Sequence, residues 1–152
     1  MRCALYLGAD FRLMKYMLIA VLCVFFLVGC KKEAPDAPLS ANTELLTSKA
    51  WLYDEYYTGY NTPAKKRVYK RNAPGNSADF SVYQYLFKKD GSFEVKVGTE
   101  STFSTWKFVE DETIIEISGS AGSTTRLKIM ELSQNTFDWM LDEYYAKMIP
   151  KK

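Results

Sequence analysis

With three cysteines and no histidine among its 152 residues, this chain has little means of doing acid–base chemistry. Without imidazole there is no common general base, no serine or cysteine catalytic arrangement of the usual kind, and no His ligand for zinc. What remains is carboxylate: Asp54 with Glu55, the run Glu110-Asp111-Glu112, and Asp142 with Glu143. Neighbours on a strand point to opposite faces, so Asp54 and Glu55 cannot address one substrate together. The acidic triplet sits between two strand-like stretches and reads as a solvated hairpin tip. A calcium loop would need oxygen ligands spread along a longer loop with a glycine at the bend, and glycosidase chemistry needs two carboxyls facing each other across a cleft. Gly119-Ser120-Ala121-Gly122-Ser123 lacks the lysine and the following helix of a phosphate loop, so it reads as a flexible hairpin. Lys65-Lys66-Arg67 and Lys70-Arg71 form a basic run. It is either a solvated strand edge or a contact for anionic headgroups or polysaccharide. The residues therefore nominate no catalytic group, no metal site and no cofactor, and the expectation is a protein that is not an enzyme.

Cys30 has a different chemistry. Lys15 precedes an uncharged stretch from Tyr16 to Val28. Its length suits the apolar core of a signal peptide and is too short for a membrane-spanning helix. It ends in Leu27-Val28-Gly29-Cys30, which resembles the lipobox of bacterial lipoproteins. In that family a small residue precedes the cleavage point and the next cysteine carries the acyl groups, palmitate among them. Only a thiol makes the thioether, and a small residue lets the peptidase reach the backbone. The resemblance makes residues 1–29 a lipoprotein signal peptide and Cys30 the lipidated residue. Residues 1–13 lie ahead of a natural start at Met14-Lys15. They are either an extended basic beginning or an upstream start. Each buried methylene contributes about 0.8 kcal/mol, so two or more chains hold a protein on a membrane almost permanently.

Three of the twenty Lys and Arg residues (Arg2, Arg12, Lys15) and one of the eighteen acids (Asp10) precede Cys30, so charge beyond it is balanced. That gives no electrostatic case for a nucleic-acid partner. Cys3 and Cys23 also fall in the leader, so the mature chain would fold without an internal disulfide and must rely on its core. From Lys49 onward it holds all three tryptophans, nine of the eleven tyrosines and six of the nine phenylalanines. Such residues favour strands and bury large areas.

Residues 30–48 read as the lipidated cysteine and a flexible tether, with Pro35, Pro38 and charges keeping it extended. Asn42-Thr43-Glu44-Leu45-Leu46 is able to nucleate one helical turn. Strands follow at close intervals from 49 to 152: Ala50–Tyr57, Arg67–Lys70, Asp79–Phe87, Ser92–Val97, Thr102–Val109, Thr113–Ser118, Thr124–Leu132, and one from Asn135. Lys89-Asp90-Gly91 is a hairpin turn. Phe93, Val95 and Val97 alternate with Glu94 and Lys96, the clearest two-residue period in the chain. A helix over Met140–Met148 stands as the alternative for the last segment. About eight short strands with tight connections predict an all-β fold that hides its edges by closing into an up-and-down antiparallel barrel or by folding into a sandwich.

These residues resemble the lipocalin-like lipoproteins of the Bacteroidota. The features are the lipobox and tether, then Leu45-Leu46-Thr47-Ser48-Lys49-Ala50-Trp51, Tyr85-Leu86-Phe87-Lys88-Lys89-Asp90-Gly91-Ser92-Phe93, Ser104-Thr105-Trp106-Lys107-Phe108, Ile114-Ile115-Glu116-Ile117 and Leu127-Lys128-Ile129-Met130-Glu131-Leu132. The resemblance implies a small lipocalin-like barrel whose first-strand tryptophan closes one end. It also implies a lipid anchor in the cell envelope at the outer membrane, with either face open.

The aromatic surplus is the one feature suited to binding. These rings either fill the barrel and clamp its ends or line a cavity, and a tyrosine suits both because it has an apolar body and a polar tip. For a cavity, the lining expected is Tyr53, Tyr83, Tyr85, Trp106 and Phe108. The leading expectation is then non-enzymatic binding of a small apolar or amphipathic ligand. The alternative is a filled barrel that presents its outer surface to an envelope protein.

Overall fold

The structure is a computed structural model that describes residues 38–152. The segment expected to be a signal peptide, Cys30 and the expected tether as far as residue 37 lie outside the described residues.

Ser40 starts the first element. Its Oγ accepts the Thr43 N–H at 3.0 Å, capping helix α1, Ala41–Thr47. A cap of this kind contributes about 1 kcal/mol. Seven residues are too few for a helix to stand alone. This one is held by burying Leu46 and by the Trp51 indole, whose Nε1–H donates to the Leu46 carbonyl at 2.9 Å. That bond satisfies a carbonyl which the helix end leaves without an internal partner.

Nine strands follow: β1 Ala50–Thr58, β2 Lys66–Lys70, β3 Tyr83–Phe87, β4 Ser92–Val97, β5 Glu100–Val109, β6 Ile114–Ser118, β7 Thr124–Leu132, β8 Phe137–Leu141 and β9 Tyr144–Pro150. All pair antiparallel. β1 and β3 to β9 form a ring of eight closed by the pairing of β1 with β9. The barrel expected from consecutive hairpins is therefore the observed fold, and the sandwich is not. β2 is an extra short strand. It shares one edge of β1 with β3, pairing with Glu55–Thr58 while β3 pairs with Ala50 and Trp51.

Three details differ from the expectation. The third strand begins at Tyr83 rather than Asp79, because the Asp79 carboxylate accepts the Ser81 N–H at 2.8 Å and folds the preceding residues into a turn. The helix weighed for Met140–Met148 is absent. Those residues finish β8, turn at Asp142-Glu143 and run on as β9, which puts Tyr144, Ala146 and Met148 on the inner face beside β1 and β8. The basic run is no uniform solvated edge either. Lys70 bridges Asp54 and Glu55 at 2.9 Å each, and Lys65 lies over the Tyr60 ring at 3.9 Å.

The core runs from the end of the barrel covered by α1, here called the floor, up to Tyr53, Tyr69 and Trp139. Trp51, Phe137, Leu46, Ile115 and Met148 are fully buried there, with Phe87 and Phe93 packed beside them. The opposite end is called the mouth. Thr102 and Thr125 face inward by register, opposite Val95 and Ile117, yet both are exposed.

Candidate functional site

Strand parity brings the aromatic side chains inward, and a β-bulge decides which of them arrive. On β1, Trp51 and Tyr53 point into the barrel. The register against β9 then slips between Tyr53 and Glu55, so Tyr56 rather than Tyr57 resumes the inner face. A bulge inserts one unpaired residue and inverts the alternation beyond it. Tyr56 stacks on Tyr144 at the mouth with ring centroids 6.2 Å apart, while Tyr57 goes outside to meet Tyr60 and Tyr145.

Tyr53 is the hub of the upper barrel. Its ring lies 5.4 Å from Tyr85, 6.2 Å from Tyr83, 5.0 Å from Phe80 and 6.4 Å from Trp139. Most of these contacts are edge-on, the arrangement aromatic rings favour. The Tyr53 and Tyr85 hydroxyls bond to each other at 2.8 Å. Only one of their two protons lies between the oxygens; the other proton and the free lone pairs have no further partner among the described residues. Burial raises the pKa of both phenols, so both stay neutral at physiological pH.

Of the five residues expected to line a cavity, the structure brings Tyr53, Tyr83 and Tyr85 together. Trp106 and Phe108 lie apart from them, lower in the barrel, packed edge-on at 5.2 Å. Trp106 also contacts Phe87 at 5.4 Å, and its Nε1–H donates to the Lys88 carbonyl at 2.9 Å, which ties it to the floor. Phe93 bridges the two groups, 5.7 Å from Tyr85 and 4.6 Å from Phe87.

Sequence reasoning missed Tyr56, Tyr69, Phe80, Tyr144 and Arg71. Phe80 comes from the loop between β2 and β3, and its ring is 4.8 Å from Tyr56 and 5.7 Å from both Tyr69 and Tyr83. It caps the tyrosines from the mouth side. Arg71 fills the stretch of β1 edge that lies between the ends of β2 and β3. Its backbone N–H donates to the Asp54 carbonyl at 2.7 Å and its Nε–H to the Tyr53 carbonyl at 2.6 Å. The carbonyls left there needed donors, which is the signal that a strand leaving an edge gives in structure but not in sequence.

A second region lies on the outside. β6 ends at Ser118, opposite Thr105, so the first half of β5 runs on beside β4 alone. The Trp106 N–H bonds to Gly91 on the β4 side, and by alternation the backbone groups of Ser101 and Phe103 turn to the open side. Phe103 is 61% exposed there, beside a cleft of about 380 Å³ lined by Ser104, Thr105, Ser118, Gly119 and Ser120.

Among the described residues no group of three or more His, Cys, Asp or Glu is placed to hold a metal ion. No protein-family model matches the sequence. No curated protein matches it either. Two solved structures match over 68% of the chain: a lipocalin-like protein from Bacteroides uniformis ATCC 8492, at 15% identity over 96% of that chain with a TM-score of 0.47, and an uncharacterized protein from Bacteroides eggerthii DSM 20697, at 14% identity over 98% of that chain with a TM-score of 0.50. Likeness at such identity speaks to fold alone. Taken with the ring of strand pairings, it makes this an all-β protein with an eight-stranded, closed, lipocalin-like antiparallel barrel.

Proposed function

We propose that this chain is an envelope lipoprotein, anchored through Cys30, whose barrel binds a small apolar or amphipathic molecule without transforming it. The observation that carries the reading is the cluster of aromatic side chains in the upper barrel, called the cup from here on. Tyr53, Tyr83, Tyr85 and Trp139 converge under Phe80, with a hydroxyl pair at their centre and exposed threonines around the rim. A concave apolar wall with a few convergent polar atoms is the usual form of a small-molecule site. The absence of histidine from the whole sequence agrees with binding rather than catalysis. The anchor rests on the apolar stretch that ends at Gly29-Cys30, and the resemblance to Bacteroidota lipoproteins implies the outer membrane, with either face open.

Native mass spectrometry of the protein isolated from its own envelope tests both parts. We expect a co-purifying molecule of a few hundred daltons that leaves on denaturation, and an acylated polypeptide that begins at Cys30. A ligand-free protein that takes up no amphiphile on titration overturns the binding role; an unacylated chain that keeps residues 1–29 overturns the anchor.

A second reading has one observation in its favour. The exposed Phe103 on an unpaired stretch of strand suits an extended segment of an envelope protein adding to β5.

A further inference from the structure

Arg71 is the residue the fold does not fully explain. Its Nη2 is buried and has no hydrogen-bond partner, the one buried side-chain nitrogen or oxygen so left among the described residues. A guanidinium carries five donors and keeps its charge, and a buried charged donor without an acceptor is strongly unfavourable. Position makes this unpaired donor informative. Tyr69 lies opposite Tyr56 in the β1–β2 register and touches Phe80, so it faces the cup; Arg71 follows in the turn just past β2, near enough to Tyr69 for its charge to be felt there. Its Nε–H is fixed on the Tyr53 carbonyl, which holds the guanidinium in the wall gap beside the ring at the centre of the cup.

The carboxylates nearby are otherwise engaged. Asp79 is near enough to feel the Arg71 charge but forms no ion pair with it, and its Oδ1 accepts the Ser81 N–H. Asp54 and Glu55 are both bridged to Lys70. The inward groups packed around Tyr53 are neutral: phenols, Trp139 and Phe80; Glu100, which turns inward by register opposite Val97, lies exposed at the rim. One fixed cation beside neutral aromatic rings selects for a single negative charge at one end of an apolar molecule.

We propose that the cup takes an amphipathic anion, its carboxylate, sulfate or phosphate head paired with Arg71 in the wall gap and its apolar tail lying among Tyr53, Phe80, Tyr83 and Tyr85. This rests on the binding role argued above. Phe80, borne on a loop rather than a strand, is the side chain that moves to admit the head.

The test compares two ligands of equal tail length, decanoate and 1-decanol, titrated into the whole protein below their aggregation concentrations, with tryptophan fluorescence as the readout. The protein is expected to bind decanoate at least tenfold more tightly than decanol. Arg71→Gln, whose amide N–H still reaches the Tyr53 carbonyl, is expected to lose that preference, its affinity for decanoate falling at least tenfold toward its affinity for decanol. Arg71→Lys, which keeps the charge without the fork, provides a second variant should Arg71→Gln melt early; it is expected to keep part of the preference. Equal affinities in the unsubstituted protein, or a preference that survives in Arg71→Gln, overturn the anion. Binding of neither ligand overturns the binding role itself, so the two failures read differently.

Discussion

The two ends of the barrel use the same class of side chain to opposite effect. At the floor the aromatics are tryptophan and phenylalanine, and each indole N–H is spent on a main-chain carbonyl: Trp51 on Leu46 and Trp106 on Lys88. Trp51, Phe137 and Ile115 are fully buried there. At the mouth the aromatics are mostly tyrosines. The Tyr53 and Tyr85 hydroxyls bond to each other with one proton left over, and Nη2 of the Arg71 guanidinium lacks an acceptor. A satisfied end holds the fold together, whereas an unsatisfied end is free to recognise something else.

The largest test of this contrast is a matched truncation. Phe137→Ala removes a fully buried ring that packs on Trp51 and Phe87, and is expected to cost about 3–5 kcal/mol in urea unfolding. Phe80→Ala removes a half-buried ring carried by a loop that can collapse, and about 1 kcal/mol is expected. Equal losses would end the distinction between floor and mouth.

Trp51→Phe is gentler. It keeps an aromatic ring but leaves the Leu46 carbonyl unbonded, for an expected loss of about 1–3 kcal/mol. Amide exchange in α1 should quicken more than in β9; uniform quickening would mean that the indole does not pin the helix.

The smallest effect is a slope against pH. Burial raises the Tyr53 phenol above its ordinary pKa, with Tyr85 adding to the rise, while the unfolded chain ionises near pH 10. The folded pKa being the higher, this contribution to stability is complete below about pH 10 and is lost as pH climbs past it. The loss amounts to at most about 1.4 kcal/mol per pH unit for each such phenol. Urea midpoints from pH 8 to 11.5 should fall more steeply in the parent than in Tyr53→Phe. Parallel curves would show that the hub of the cup is already open to water.

The parts of the fold legible in the sequence are those that depend on near neighbours. β4 and β7 have the bounds expected of them, because alternation and the turn at Asp90-Gly91, where Gly91 takes φ +80°, are local. The bulge after Tyr53 is not local. It arises from pairing with β9 some ninety residues away, and it exchanges the fates of Tyr56 and Tyr57. Parity also tells which face a side chain takes without telling its height along the barrel axis. That is why Trp106 and Phe108, on the same inner face as the tyrosines, lie at the floor instead. Height follows from register summed around the ring, a property that no single strand carries. Arg71 was hidden for a related reason: a basic run looks alike whether its members bridge carboxylates, cover a ring or fill a gap in a wall.

The last strand runs back alongside the first, so that Pro150 lies opposite Trp51 and the Lys151 N–H bonds to the Ala50 carbonyl. The described polypeptide thus enters and leaves at one pole. Tags, linkers or a new peptide bond joining the two ends can be added there without crossing the route by which a molecule reaches the other pole, and cutting the chain at the Asp142-Glu143 turn becomes a natural way to permute it.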